Sequence, residues 1–387
     1  MMRAAIRLAV IVVVSLSGAF EVNAVELKMS QETKTMCVGR FLIDVPADAI
    51  VSFRPHALAD WHIATNVNET DGRFADRLMK LEIELAARKN GKNEKSLESV
   101  REIRHEGMSG KVFIHGREWL RSMPAVEGAS LFSVAVAVTA YVRVNGVSYI
   151  FSAKIVDPDD AEQLTKLISH VKVLAADEIP IEPGFCIERG IIRDSPTPDP
   201  NERITMIVGL KEYPDIEITV ATAAGLRPNE SLLEREDRYK KNPETHTTVL
   251  RRGSRILAGL QGEELVERFS IPDCTSGQVA RWEAVGTLDN VLAPTISLDL
   301  TIPCERVDKP VGSSPRDEAM LAFWDKMASS LRLRPTKILK PVVAVAPIPP
   351  TGSYSAVNDS AKPQQGPLDQ IQDDGVRLAP RARKPTR

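Results

Sequence analysis

Six histidines and four cysteines are the residues of this 387-residue chain whose types could carry acid–base, nucleophilic or metal chemistry. The histidines stand at 56, 62, 105, 115, 170 and 246, and only His56 and His62 are close, at a spacing that would not set two ligands on one helix face. His105-Glu106 opens like HExxH, in which two histidines one helical turn apart hold zinc, but Ser109 occupies the second histidine's place. Trp61-His62 and His115 have no base or nucleophile beside them in sequence. No GxSxG elbow, Walker A loop or GxGxxG turn occurs. Asp44, before Val45-Pro46, and Asp157, before Pro158, read as turn and cap residues rather than catalytic acids. These residues give no support to an enzyme, although a constellation assembled only by the fold, as in a divergent hydrolase, leaves no motif in the sequence; the reading is of a non-enzyme with no catalytic residue, no metal site and no cofactor.

The cysteines take their meaning from the amino terminus. Arg3 and Arg7 precede an apolar run from Leu8 to Phe20, and Val22-Asn23-Ala24 supplies the small residues of a signal peptidase site. The run is shorter than the roughly 18–20 residues that span a bilayer, which favours a cleaved signal peptide, cut after Ala24, over an uncleaved anchor. The expected location is the periplasm, where Cys37, Cys186, Cys274 and Cys304 can pair in three ways. None of their spacings is CxxC, so neither a zinc knuckle nor a thioredoxin-like site is indicated.

The elements that would position any site follow one plan used twice. Met36–Pro46 and Gly184–Asp194 each run from a cysteine into an apolar strand. A polar helix follows, with Phe74, Leu78, Leu81 and Leu85 at helical spacing in a charge-dense stretch 73–95, and a shorter counterpart from Ser231 to Lys241 carrying Leu232, Leu233 and Tyr239. Its acids and bases alternate at i,i+3 and i,i+4, as a solvated helix face does. Strands 112–118 and 258–264 correspond, with Gly116 matching Gly262 and Glu118 matching Glu264. Tyr141–Val144, Asn145-Gly146 and Val147–Ile150 form a hairpin with a type I′ turn. Val279–Val285 and Thr295–Ile302, joined around Asp289-Asn290, take that part in the second half. Asp157-Pro158 opens a closing helix with Leu164, Leu167, Ile168 and Val171 as its stripe. Ser314, Pro315 and Asp317 open the other as a near capping box, with Met320, Trp324, Met327 and Leu331. The fold class read from this is α+β, two tandem, similar domains at 25–178 and 179–335, each an antiparallel sheet backed by helices.

Residues 336–387 read differently, as a proline-rich tail that cannot bury enough apolar surface to order itself. The net charge of −2 hides +1 over residues 1–24 and +4 over this tail, which leaves −7 on 25–335. An acidic, exported body gives no basis for nucleic-acid binding; the basic tail allows a weak envelope contact through anionic groups.

Cys274 and Cys304 are equidistant from residue 289 in the second hairpin, and facing residues of an antiparallel pair are close enough for a disulfide. This pairing is expected. It leaves Cys37 and Cys186, equivalent in the repeat, to bridge the domains or remain buried thiols.

Thr35-Met36-Cys37-Val38-Gly39-Arg40-Phe41-Leu42-Ile43-Asp44-Val45-Pro46 resembles the start of the N-terminal domain of a family of type VI secretion immunity proteins. Pro183-Gly184-Phe185-Cys186-Ile187 is similar to the start of that family's C-terminal domain, and the likeness runs from about Thr35 to Pro335. The resemblance implies a periplasmic partner protein, a phospholipase effector, bound so as to block its active site or lid. It carries over no catalytic residue. The alternative from another class is a periplasmic module that holds a lipid or small apolar ligand or maintains the envelope.

Overall fold

The computed structural model describes residues 32–337, apart from 106, 123–130, 195–200, 239–244, 272–273, 289 and 304–314. The signal segment, nearly all of the tail, Ser314, Tyr239, Asp289 and Cys304 lie outside the described residues.

The first half runs β1 (Thr33–Val38), β2 (Phe41–Pro46), β3 (Ile50–Phe53), β4 (His56–Leu58), β5 (Trp61–Asn66), α1 (Asp71–Ala87), β6 (Leu97–His105), β7 (Met108–Ser122), β8 (Leu131–Val144) and β9 (Val147–Val156). A 3-10 turn (Pro158–Asp160), α2 (Ala161–Ser169) and β10 (Val171–Val173) close it. The second half runs β11 (Gly184–Ile187), β12 (Gly190–Arg193), β13 (Glu202–Leu210), β14 (Tyr213–Ala223), α3 (Leu232–Arg238), β15 (His246–Leu257), β16 (Leu260–Ile271), β17 (Cys274–Ala284) and β18 (Thr295–Ile302). It ends with α4 (Asp317–Ser329) and β19 (Arg332–Leu333).

The element order repeats, and the pairing repeats with it. One antiparallel sheet runs β15-β16-β17-β18-β14-β13 and then β4-β5-β9-β8-β7-β6, with β3 also on β13. The second run is the first read backwards, so the halves are related by an approximate two-fold axis at the β13–β4 seam. Strand alternation explains the buried face. In β8, Val136, Val138, Ala140, Val142 and Val144 are buried, and in β18 so are Ile296, Leu298, Leu300 and Ile302. Each such Val, Leu or Ile side chain stabilises the fold by about 1.5–3 kcal/mol. The same core takes in Leu164 and Ile168 of α2 and Met320, Trp324 and Met327 of α4, part of the two closing-helix stripes expected from sequence, together with Phe323, which the stripe does not include.

Two small sheets show that the halves are interlocked rather than merely adjacent. β10, which closes the first half, pairs with β12 of the second; β19, which closes the second, pairs with β2 of the first. The two chain exits match as well: Leu174 N donates to Arg189 O at 3.0 Å, and Arg334 N donates to Arg40 O at 2.9 Å. The expectation of a sheet in each half holds, but the two sheets are one.

Several local expectations are corrected. The charge-dense helix ends at Ala87, not Lys95, because Asn90, Gly91 and Asn93 favour a turn; Asn93 has φ 63° and Asn90 Oδ1 accepts from two backbone N–H groups. Asp44 sits within β2 rather than in a turn, accepting from Thr35 Oγ1 at 2.7 Å and paired with Arg332. Asp317 does not cap α4; its carboxylate binds Gln278 and Arg268. Ala258-Gly259 form the β15–β16 turn, both at positive φ, so that only the later part of 258–264 is strand. Asp157 is the expected cap, accepting from Asp159 N at 3.0 Å, and Asn145 and Gly146 have the positive φ angles of the expected turn.

Candidate functional site

The fold disperses the histidines as the sequence does. His56 lies buried in β4, with Phe53 edge-on at 5.8 Å, and burial pushes its pKa down to about 4. His115 Nε2 meets Thr139 Oγ1 at 3.1 Å and His170 Nδ1 meets the Arg193 carbonyl at 3.0 Å. His62 is exposed opposite Ser152. None of these contacts joins a base to a carboxylate and a nucleophile, the arrangement that hydrolysis needs. Among the described residues no cluster of metal-binding side chains forms, and no helix is long and apolar enough to cross a membrane.

Chemistry-bearing residues gather instead at the seam. Cys37 at the end of β1 is joined to Cys186 in β11, with Cα atoms 5.9 Å apart, and Gly39 and Cys186 exchange backbone hydrogen bonds beside it. This realises the bridging option left open for that pair. Next to it Arg40, 4% exposed, donates from Nε to Glu202 Oε2 at 2.8 Å and through both terminal nitrogens to Asp194. Two carboxylates from the second half thus neutralise one buried guanidinium from the first, the arrangement that makes a buried charge tolerable. Arg334 reaches the carbonyls of Pro180, Glu182 and Gly184 at 2.6–2.7 Å; burial, with the Arg40 charge, pushes its pKa down to about 10. Sequence reasoning missed this network, although the Cys-x-x-Arg spacing shared by Cys37/Arg40 and Cys186/Arg189 was a signal that the repeat builds its seam from these residues.

The matched glutamates of the repeat diverge. Glu118 is exposed, whereas Glu264 is buried, accepting from Trp324 Nε1 at 2.7 Å and paired with Arg255 and Arg251, which also hold Asp325.

Two concavities among the described residues bear on ligand binding. A cavity of about 170 Å³ beside the disulfide is lined by Met36, Phe53, Val67, Ile179 and Glu188 among others, below the usual 300–1,000 Å³ of a ligand pocket. A groove of about 550 Å³ between β6 and α2 is lined by Ile103, Met108, Val112 and Ile168 and by the charged Arg101, Glu102, Arg104 and Glu162.

The two halves differ most in their connections. The β8–β9 turn has two residues; its counterpart between β17 and β18 has ten. Four residues link β5 to α1, and eight link β14 to α3.

The model of the Tle cognate immunity protein 4 N-terminal domain matches residues 34–177, and that of the C-terminal domain matches 178–336. The chain belongs to this family. Solved structures of similar fold include the apo immunity protein TplEi of T6SS from Pseudomonas aeruginosa, with TM-score 0.63 and 24% identity, covering 80% of this chain and 100% of that one. A Tle4-Tli4 complex aligns with TM-score 0.62 and 24% identity over 79% of this chain and 98% of the other. TplEi complexed with an "L" peptide aligns with TM-score 0.59 and 23% identity over 79% and 99%. No curated protein sequence matches the chain. Membership identifies a type VI secretion immunity protein, a family of binders rather than enzymes, and the Tle cognate immunity protein 4 pattern covers both interlocked halves.

Proposed function

We propose that this protein is the periplasmic antidote to a cognate type VI secretion lipase, binding it and blocking its active site or the lid movement that admits lipid. The observation that carries the reading is the pair of consecutive family matches over 34–336. The build of the molecule supports it: the seam is fixed by a disulfide, exchanged strands and a buried ion network, and preformed surfaces bind without the cost of ordering. The signal peptide cleaved after Ala24 and the disulfide fit an oxidising compartment. The effector is taken to be a phospholipase by family alone, and no nucleic acid, metal or cofactor enters the reading.

The test is to identify a lipase encoded beside this gene, mix it with the purified protein and follow both complex formation and lipid hydrolysis. Stoichiometric loss of hydrolysis with a stable complex is expected. Full hydrolysis in the presence of excess protein would overturn the proposal.

A further inference from the structure

Accepting the reading above, we infer that the effector docks along one edge of the large sheet, anchored on Leu226, Val285 and Leu288. The argument begins with broken symmetry. One repeat closes its β8–β9 corner with Asn145-Gly146 and needs nothing more; the other spends ten residues at the equivalent corner and twice as many as its counterpart on the neighbouring β14–α3 link. Length that the scaffold does not require is where binding function is carried.

The described residues of the longer connection are held by hydrogen bonds of their own. Thr287 N donates to Ala293 O at 2.9 Å, Ala293 N to Asn290 O at 3.0 Å, and Leu292 N to Asn290 Oδ1 at 3.0 Å. The Thr295 hydroxyl accepts from Gly286 N at 3.1 Å and donates to Leu226 O at 2.9 Å, tying the two long connections together. Gly286 is required there, since a Cβ would lie 2.2 Å from the Pro294 and Thr295 backbone. On this ordered base the apolar side chains face solvent: Leu226 is 43% exposed, Val285 36% and Leu288 51%. Clustered, exposed aliphatic residues on a fixed backbone are the signature of a contact surface.

Strand direction extends the surface. Every neighbour in the sheet is antiparallel, so the β17–β18 connection, the end of β14, the start of β13, the β4–β5 turn and the end of β9 share one edge. The β7–β8 pair, in which the first half has the longer strands, ends on that edge too. Near the end of β9 stands exposed Ile155, and just past the strand are the exposed Asp157, Asp159 and Asp160, three carboxylates with no basic partner among the described residues. Five strand spacings, about 24 Å, separate β18 from β9, within the span of a standard protein interface. The occupant that fits is a protein face with an apolar patch flanked by basic side chains. A lipase, which must show apolar surface to lipid, offers the first of these.

The experiment compares wild type with Leu226→Asp/Leu288→Asp and Leu226→Ala/Leu288→Ala, measuring affinity for the purified adjacent lipase alongside the thermal midpoint. Both pairs should bind about 100-fold or more weakly, through faster dissociation, with an unchanged midpoint. Ile50→Asp, exposed on the opposite edge, should bind like wild type. Asp159→Asn/Asp160→Asn should slow association and flatten its salt dependence. Wild-type affinity in the alanine pair, or a patch that proves to join two copies of this chain, would overturn the inference while leaving the function standing. Absence of any lipase binding by wild type would instead overturn the function.

Discussion

Cys37 and Cys186 occupy the same position in the two halves of the repeat and are bonded to each other. A cross-link between equivalent positions sits at the axis relating the halves, where it fastens both at once. The loop it closes spans a sequence separation of 149, worth about 5 kcal/mol in the chain-entropy view. Cys37→Ala/Cys186→Ala is therefore expected to lower unfolding stability by about 3–5 kcal/mol. Chemical denaturation checks this, and an unchanged midpoint would contradict it.

Peptide mapping without reduction should show Cys37 linked to Cys186. The Cys274–Cys304 bridge remains our proposal for the other pair. The described β17–β18 register is centred on residue 290, one residue past the midpoint of these cysteines, so the bridge requires a shift near the strand ends. Cys274 and Cys304 recovered as unlinked thiols would remove it.

Strand exchange predicts an asymmetry between two truncations. Ending the chain after Lys337 removes only the tail and should leave the thermal midpoint unchanged. Ending it after Leu331 removes β19, which pairs with β2 of the other half, and Arg334, which caps the Pro180, Glu182 and Gly184 carbonyls at the entry to its own half. That deletion should destabilise both halves together, read as a lower midpoint with one transition. Two separate transitions would argue against interlocking.

Arg40→Ala leaves Glu202 and Asp194 facing each other without their cation, and breaking such a buried pair costs about 3–5 kcal/mol. Glu202→Gln in the same background should recover part of the loss by removing one of the two negative charges that Arg40 balanced. No recovery in a double-mutant cycle would show that the network is not acting through charge.

His56 supplies a pH dependence whose sign is fixed. Its folded pKa is about 4 against 6.5 for the free side chain, so the unfolded chain binds the proton more readily. Stability is complete above pH 6.5 and falls as pH drops towards 4, by up to about 3 kcal/mol. His56→Gln should flatten this part of the stability profile, as seen in denaturation midpoints at pH 4.5 and 7. An unchanged slope would assign the acid sensitivity elsewhere.

Much of this architecture was visible in the sequence because local physics writes it there. Asn145-Gly146 dictates its turn, the 3.6-residue stripes dictate α2 and α4, and Asp157-Pro158 dictates a helix start. What sequence periodicity does not encode is which strand accepts which partner. The pairing of β10 with β12 and β19 with β2, and the fusion of two sheets through β13, β3 and β4, depend on contacts between distant residues. Arg40 and Arg334 are legible as functional parts only once the chain is folded, since their partners lie about 150 residues away. The unequal lengths of two equivalent hairpin connections were legible, and they mark the surface assigned to the partner.

The most direct test of the whole account titrates this protein into the adjacent lipase while monitoring release of fatty acid from phospholipid vesicles. The account predicts that hydrolysis falls linearly to zero at one equivalent, with the two proteins migrating as a single complex. Undiminished hydrolysis at several equivalents, with the proteins migrating apart, would contradict it.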